Sequence, residues 1–396
     1  MHCATVNVKT NHTKESYPCY LAYGLLDRME DYLDEAKAGG QKVLVVDDSN
    51  TSPLYFQKVR RALQKKGYEV AEYTFPAGEG SKNKETLEAI LDQAFSFGLG
   101  REDKMLALGG GVTGDLTGFA AAIYMRGISY IQVPTTVLAQ VDSSVGGKTG
   151  IDTAQGKNLI GAFKQPEKVL IDLKTLETLP EREVSTGMAE IIKYGLLEGE
   201  PLLSMIRDMS GTLPNLDLIQ ACIEAKARIV SEDTLDRGSR AVLNLGHTLG
   251  HAIEKATGYG RYTHGEAVGI GLLGAVRIGE ILGLTPSNLM PVLICLLQNW
   301  NLPTYTDVKP EPLLKAMAQD KKKTGRVISY VLLEKAGRPV LHMLSFAELE
   351  DLLKELDGFC IGVDDAATSI EIRPSCLKGV LYPPPSKSMG HRLLMA

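Results

Sequence analysis

The segment from Lys104 to Asp115 constrains this chain more than any other. A short apolar run, Met105-Leu106-Ala107-Leu108, passes directly into Gly109-Gly110-Gly111-Val112-Thr113-Gly114-Asp115, which opens a helix. A strand that turns through three glycines into a helix exposes backbone N–H groups at the helix N-terminus, where no Cβ blocks the approach of a pyrophosphate. Gly109, Gly111 and Gly114 have the G-x-G-x-x-G spacing. In the usual dinucleotide fold an acidic residue lies about 20 residues on, at the end of the following strand. Here that strand ends Ile131-Gln132-Val133-Pro134-Thr135-Thr136, so a ribose-binding acid must come from elsewhere, and Asp48 is the candidate. The competing reading is a ligand-free strand-helix turn with close packing, and three consecutive glycines favour phosphate over it.

The neighbouring sequence agrees with a layered α/β fold. Strands are expected over Lys42 to Val46, Glu69 to Phe75, Lys104 to Leu108 and Ile128 to Val133, with helices over Pro53 to Lys66 and Asn83 to Phe97 between them. Such alternation implies a mainly parallel sheet with its ligand crevice at the strand carboxyl ends. From Pro180 the β-branched runs give way to helical periodicity over Val184 to Leu197, Asp217 to Ser231, Ala241 to Thr257, Gly265 to Leu282 and Met290 to Asn299. A β-like stretch, Val327 to Leu333, and a helix, Phe346 to Leu356, follow. The expected organisation is an α/β domain over residues 1–179, a helical domain over 180–360, and a remainder, 361–396, too short to bury its own core.

Charge and composition exclude several classes of function. With 43 basic against 48 acidic residues the net charge is -5, so no excess exists to hold a nucleic acid or an anionic membrane by charge alone. No stretch approaches the ~18 apolar residues that span a bilayer, and Met1 to Asn11 lacks the features of a signal peptide. The six cysteines form no C-x-x-C pair, which argues against a disulfide framework or a thiolate zinc site and for a reducing cytoplasm.

Three further segments carry chemistry. Asp142 to Gly161 contains Gly147-Lys148-Thr149, but a phosphate-binding P-loop needs glycine where Asp142 stands. What remains is a long glycine-rich loop bearing Lys148 and Lys157, either an anion-binding surface or two solvated lysines. On the helix Val184 to Leu197, Glu190, Lys193 and Tyr194 share one face, which by periodicity reads as a solvent-facing ion pair. Over Ala241 to Thr257, Asn244, His247, Thr248 and His251 form a stripe free of Lys and Glu, the composition of a pocket lining rather than a solvated face. His247 and His251 at i and i+4 could share a metal, although Thr248 replaces the glutamate of H-E-x-x-H. His264 makes three histidines within eighteen residues, which favours zinc over isolated structural histidines.

Taken together, these motifs resemble the 3-dehydroquinate synthases. The resemblance is carried by Gly109 to Asp115, Pro134-Thr135-Thr136, Asp142 to Gly150, Gly156 to Phe163, Met188 to Gly195 and Asn244 to Glu254, in an order spanning roughly residues 20 to 355. It implies zinc, or another divalent metal such as cobalt, on Glu190, His247 and His264, overturning both the solvated ion pair and the i, i+4 histidine pair. It implies NAD+ against Asp48, Glu79, Lys82, Gly110, Gly111, Val112, Asp115, Thr135, Thr136, Lys148, Lys157, Thr175 and Thr178. Catalysis would rest on Asp142, Lys148, Lys193, Lys226, Arg240, Asn244 and His251, with Arg126, Lys157, Asn158, Asp236, Lys321 and Lys322 completing the substrate contacts. At Asp236 the family usually has glutamate, one methylene longer.

The implied reaction converts 3-deoxy-D-arabino-heptulosonate 7-phosphate to 3-dehydroquinate and phosphate by oxidation, β-elimination, reduction, ring opening and intramolecular aldol closure, with NAD+ regenerated. The resemblance also implies a homodimer. Leu377 to Ala396, with Ser386-Lys387-Ser388, resembles the opening of 5-enolpyruvylshikimate-3-phosphate synthase, so the remainder reads as a severed third domain or a proline-rich tail. The alternatives are another sugar-phosphate cyclase of the same fold and a metal-dependent polyol dehydrogenase, which would release NADH.

Overall fold

Runs of apolar and β-branched residues become strands wherever a sheet can cover both of their faces, and Val43, Leu44, Val45 and Val46 show this at zero exposure. The structure is a computed structural model that describes residues 3–9, 16–37, 40–209, 213–236, 238–319 and 327–356. Its first part contains β1 (Cys3–Lys9), β2 (Ser16–Ala22), β3 (Gln41–Asp48), α1 (Gln57–Lys65), β4 (Tyr68–Phe75), α2 (Lys84–Phe97), β5 (Lys104–Gly109), α3 (Gly111–Ile123), β6 (Ser129–Pro134), β7 (Lys148–Thr153), β8 (Gly156–Phe163) and β9 (Lys168–Asp172). Seven of these strands form one sheet in the order β1-β2-β9-β6-β5-β3-β4, parallel throughout except for β1 against β2. The chain leaves β3 for β4 on one side and returns to β5 on the other. This order reversal opens a crevice beyond the carboxyl ends of β3 and β5, between Asp48 and the glycine turn.

The four expected strands and two expected helices are present. β1, β2 and β9 were not anticipated; β9 has five residues, all buried, too few to show a period. The glycine-rich segment expected as a loop is largely the β7–β8 hairpin, with Thr149 opposite Ala162 and Gly150 opposite Gly161. Glycine density here reflects close approach between strands: a Cβ on Gly161 would lie 2.1 Å from the Thr149 carbonyl oxygen.

The second part contains α4 (Glu181–Glu198), α5 (Leu202–Asp208), α6 (Leu216–Glu232), α7 (His247–Ala256), α8 (His264–Ile281), α9 (Leu289–Asn299), α10 (Pro310–Gln319), the antiparallel pair β10 (Val327–Lys335) and β11 (Arg338–Ser345), and α11 (Phe346–Leu356). The helix expected over 241–257 is two pieces. A 3-10 turn, Ser239–Asn244, ends at Leu245, and α7 begins only after Gly246, whose φ of 78° is left-handed. A side chain at Gly246 would also strike Leu272 of α8. One hydrophobic cluster joins Val6, Val8, Cys19, Leu21 and Ile171 of the sheet to Ile191, Ile223 and Val268 of the helices, so the β1–β2–β9 side is the platform on which the helices pack. Lys321, Lys322 and the segment from 361 on lie outside the described residues.

Candidate active site

Three glycine contacts bring α4, α7 and α8 closer than helices with ordinary side chains could approach. A Cβ on Gly265 would lie 2.1 Å from the Thr186 carbonyl oxygen, one on Gly271 1.9 Å from that of Gly246, and one on Gly250 3.1 Å from that of Ala267. Thr186 stands one turn before Glu190, Gly246 directly precedes His247, and Gly265 directly follows His264. The contacts therefore set the three candidate ligands against one another. α8 starts on a capping box, in which the Thr263 side chain accepts from the Glu266 N–H and Glu266 accepts from the Thr263 N–H. That fixes the first residue of the helix, His264.

Glu190 is fully buried, and its Oε1 lies 3.6 Å from His247 Nε2 and 3.5 Å from His264 Nε2. Among the described residues neither carboxylate oxygen accepts a hydrogen bond, although Lys193 makes an ion pair with Oε2. Tetrahedral ligands on bonds of ~2.1 Å stand about 3.4 Å apart, so a buried oxygen facing two imidazole nitrogens at these separations fits a divalent cation. Both rings are held from behind: His247 Nδ1 lies 3.1 Å from the Leu245 carbonyl oxygen and His264 Nδ1 lies 3.4 Å from Glu254 Oε2. Burial and the cations around it push His247 down to about 3, so it presents a neutral ring. Burial opposes ionisation of Glu190, but Lys193 and His264 hold it well below the usual carboxylate range.

Next to this cluster, Asp142 meets two buried lysines. Lys226 donates to its carboxylate and, at 2.6 Å, to its carbonyl oxygen; Lys193 Nζ lies 3.4 Å from Oδ2, and the Tyr194 hydroxyl donates to Oδ1 at 3.0 Å. Burial lowers Lys226 to about 8, and Arg240 adds to the effect. Burial also opposes the charge on Asp142, yet Lys193 and Lys226 keep it below the usual range. Buried charges are poor stabilisers compared with an apolar core, so a group of them beside a cavity marks chemistry. Arg240, 2% exposed, donates to the carbonyl oxygens of Gly146 and Thr234.

A cavity of about 1170 Å³ extends from these groups to the β3–β5 crevice. Of the residues expected to hold a dinucleotide, Asp48, Glu79, Lys82, Gly110, Gly111, Val112, Asp115, Thr135, Thr136, Lys157, Thr175 and Thr178 line it. Asp48 Oδ1 accepts from the N–H groups of Asn50 and Thr51, which leaves Oδ2 beside Thr113. Lys82 bridges Asp115, at 2.5 Å, and the Asn158 side-chain oxygen, at 2.6 Å. Asn158 has a φ of 55°, a left-handed conformation that asparagine tolerates. Asp142, Asn158, Asn244, His247, His251 and His264 also face the cavity. Glu190, Lys193, Lys226 and Arg240 stand behind its surface.

Three expected residues stand apart from it: Arg126 is exposed, Lys148 is 53% exposed, and Asp236 is paired with Lys148, and none of the three lines the cavity. Two residues went unassigned in the sequence: Tyr194, which holds Asp142, and Glu254. The latter follows His247 by seven positions and His251 by three, and that helical spacing was a usable signal.

The chain matches the family models for the N-terminal part of 3-dehydroquinate synthase over residues 72–186 and for its C-terminal part over residues 187–323. It is 43% identical over 331 residues to 3-dehydroquinate synthase of Desulforamulus reducens, covering 82% of this chain and 92% of the relative. It is 40% identical over 361 residues to that of Thermoanaerobacter pseudethanolicus, covering 89% and 100%. Among solved structures, 2-deoxy-scyllo-inosose synthase complexed with carbaglucose-6-phosphate, NAD+ and Co2+ superposes with a TM-score of 0.80 at 26% identity, covering 89% of this chain and 99% of that one. 2-epi-5-epi-Valiolone synthase of Streptomyces hygroscopicus with NAD+ and Zn2+ bound gives 0.79 at 25% identity, covering 88% and 98%. Glycerol dehydrogenase of Schizosaccharomyces pombe, at 17% identity and 0.59, shares the fold alone. The two family models match adjoining stretches of the chain, and the relatives are 40% or more identical over most of it, so the chain belongs to the 3-dehydroquinate synthase family.

Proposed function

We propose that this chain converts 3-deoxy-D-arabino-heptulosonate 7-phosphate to 3-dehydroquinate and phosphate, as a carbon–oxygen lyase that uses NAD+ and a divalent cation, zinc or cobalt. The observation that carries the reading is one cavity with the glycine turn of β5 at one end and the Glu190–His247–His264 cluster at the other. Residues 1–179 supply the nucleotide end and residues 180–360 the metal end. A cation on the three ligands would act as a Lewis acid, lowering the cost of negative charge on a substrate hydroxyl oxygen.

The chain's own residues do the remaining work. The N–H groups at the start of α3, which has no side-chain cap at Gly110, face the dinucleotide's phosphates. Asp48 Oδ2 and Thr113 are placed for a ribose. Lys157 and Asn158 on β8, with Asn244 and His251, bind and orient the substrate's carboxylate and phosphate, and Lys193, Lys226 and Arg240 supply positive potential from beneath. Asp142, held by two lysines and Tyr194, keeps its charge and accepts a substrate hydroxyl. The reading also takes the protein to be a cytoplasmic homodimer. In support, Cys3, Cys19, Cys222 and Cys295 are free thiols, and Leu159, Ile160 and Phe163 on the hairpin are exposed and apolar. No helix among the described residues is long and apolar enough to cross a membrane.

The test is incubation with the seven-carbon phosphate, NAD+ and zinc, following phosphate, 3-dehydroquinate and absorbance at the NADH band. Phosphate release without net NADH is expected. Sustained NADH accumulation would instead make the chain a dehydrogenase, and turnover of glucose 6-phosphate in place of the seven-carbon acid would make it a different cyclase.

A further inference from the structure

The carboxylate of Glu254 has no part in the reaction as described above, yet its side chain is 3% exposed and wedged between the two ends of the site. Its oxygens serve different partners. Oε2 lies 3.4 Å from His264 Nδ1, and Oε1 accepts from Lys157 Nζ at 3.1 Å. An imidazole has two nitrogens; with Nδ1 turned to Glu254, His264 can present only Nε2 to Glu190, 3.5 Å away. His247 repeats the arrangement with a backbone carbonyl in place of the carboxylate. Lys157 is itself fixed, 3.5 Å from Glu79 and 5.0 Å from the centre of the Tyr259 ring.

We infer that Glu254 is a positioning residue: it accepts the Nδ1–H of His264, so that Nε2 is the nitrogen offered to the cation, and Lys157 holds its carboxylate in place from the nucleotide side. The inference rests on the metal-dependent reading above. Its physical basis is general. A carboxylate behind an imidazole ligand fixes tautomer and ring orientation and raises ligand basicity, and its loss weakens metal binding about 10–100-fold. The same residues admit a rival, because His251, Glu254 and His264 also bring ligand atoms within 4.8 Å of one another and could form a second cation site. That arrangement would require His264 Nδ1 as a ligand, the nitrogen opposite the one that faces Glu190.

The experiment titrates metal-free protein with Co2+ against a competing chelator, following the visible absorption of the bound ion. One equivalent is expected for the wild type. Glu254→Gln keeps the volume and one acceptor oxygen but removes the charge; an affinity lower by at least about 10-fold is expected, with an unaltered far-ultraviolet circular dichroism spectrum. Unchanged affinity, or two equivalents in the wild type and one in the variant, would overturn the inference. Should the variant not fold, 15N NMR of the zinc-loaded wild type decides: a proton on His264 Nδ1 supports the inference, and zinc on Nδ1 overturns it. Failure of the functional reading is a separate result, in which the wild type binds Co2+ as stated but releases no phosphate.

Discussion

Replacing Gly271 by alanine should damage the metal site from a distance, through the backbone. The added methyl carbon would lie 1.9 Å from the Gly246 carbonyl oxygen and 3.0 Å from the Gly250 nitrogen, so both obstacles are main chain of α7 or its entry turn. Because Cβ atoms do not come within 3.0 Å of such an oxygen, α7 and α8 must part by about 1 Å. Alanine in a helix interior is favoured over glycine by ~1 kcal/mol, whereas overpacking costs typically 1–3 kcal/mol and more where nothing can rotate aside. The net expectation is a loss of roughly 1–2 kcal/mol in the metal-free protein. The larger effect should be functional, since Gly246 directly precedes His247. Moving its Nε2 by about 1 Å relative to Glu190 and His264 spoils a coordination geometry that tolerates a few tenths of an ångström, and a misplacement of that size can cost ~100-fold in rate.

The assay pairs Co2+ affinity by chelator competition with thermal unfolding of the metal-free form. Gly274→Ala is the internal control. Its nearest atom is the Leu249 Cδ2 methyl at 2.5 Å, the end of a flexible side chain, so it should cost little and leave Co2+ affinity within a few-fold of wild type. Wild-type melting temperature and wild-type Co2+ affinity in Gly271→Ala would refute the argument that close helix approach sets the ligand geometry.

Two further outcomes are expected. His247→Ala should lose bound metal and phosphate release together while still binding NAD+, as judged by metal analysis after gel filtration and by equilibrium dialysis; full turnover in metal-free variant would defeat the assignment. Asp47 supplies a pH-dependent test. It is fully buried, its Oδ1 accepts from Thr74 at 2.7 Å and its Oδ2 accepts no hydrogen bond among the described residues, and burial, with Glu72 and Asp48 adding to it, raises it from 3.8 to about 7. Because the folded value lies above the unfolded one, this group costs nothing below about pH 4, and its cost grows as pH rises from 4 to 7 and is constant above. At 1.36 kcal/mol per pH unit the full cost is ~4 kcal/mol. Asp47→Asn should therefore stabilise the protein by a few kcal/mol at pH 8 and by nothing near pH 4. A difference between variant and wild type that does not change between those pH values in urea unfolding would show that folding does not raise the Asp47 carboxyl.

How much of this was legible in the sequence depended on how local the signal was. The strand-glycine-helix passage at Lys104 to Asp115 is local: chain direction, glycine φ freedom and helix start lie within twelve residues, and the structure keeps that order. The run from Asp142 to Gly161 misled because glycines mark loops and also strands that touch closely, and only the partner strand distinguishes the two. Periodicity over 241–257 joined two pieces, because the break at Gly246 comes from Leu272 and Gly271 on another helix. Glu190 and Lys193 share a face at i and i+3 in either environment; that this face is interior was decided by α6, α7 and α8 packing over it.

The sequence by itself determined the alternation of strand and helix, the glycine turn at a strand end, and a motif set specific enough to point to one family. These follow from short-range backbone freedom and side-chain period, which each segment carries alone. Tertiary structure decided which groups meet: Glu190 with His247 and His264, Asp142 with Lys193 and Lys226, and Glu254 between His264 and Lys157. Those pairs join groups as many as 97 residues apart. Their distances depend on how closely helices pack at Gly246, Gly250, Gly265 and Gly271, a property of two surfaces together that no single segment encodes.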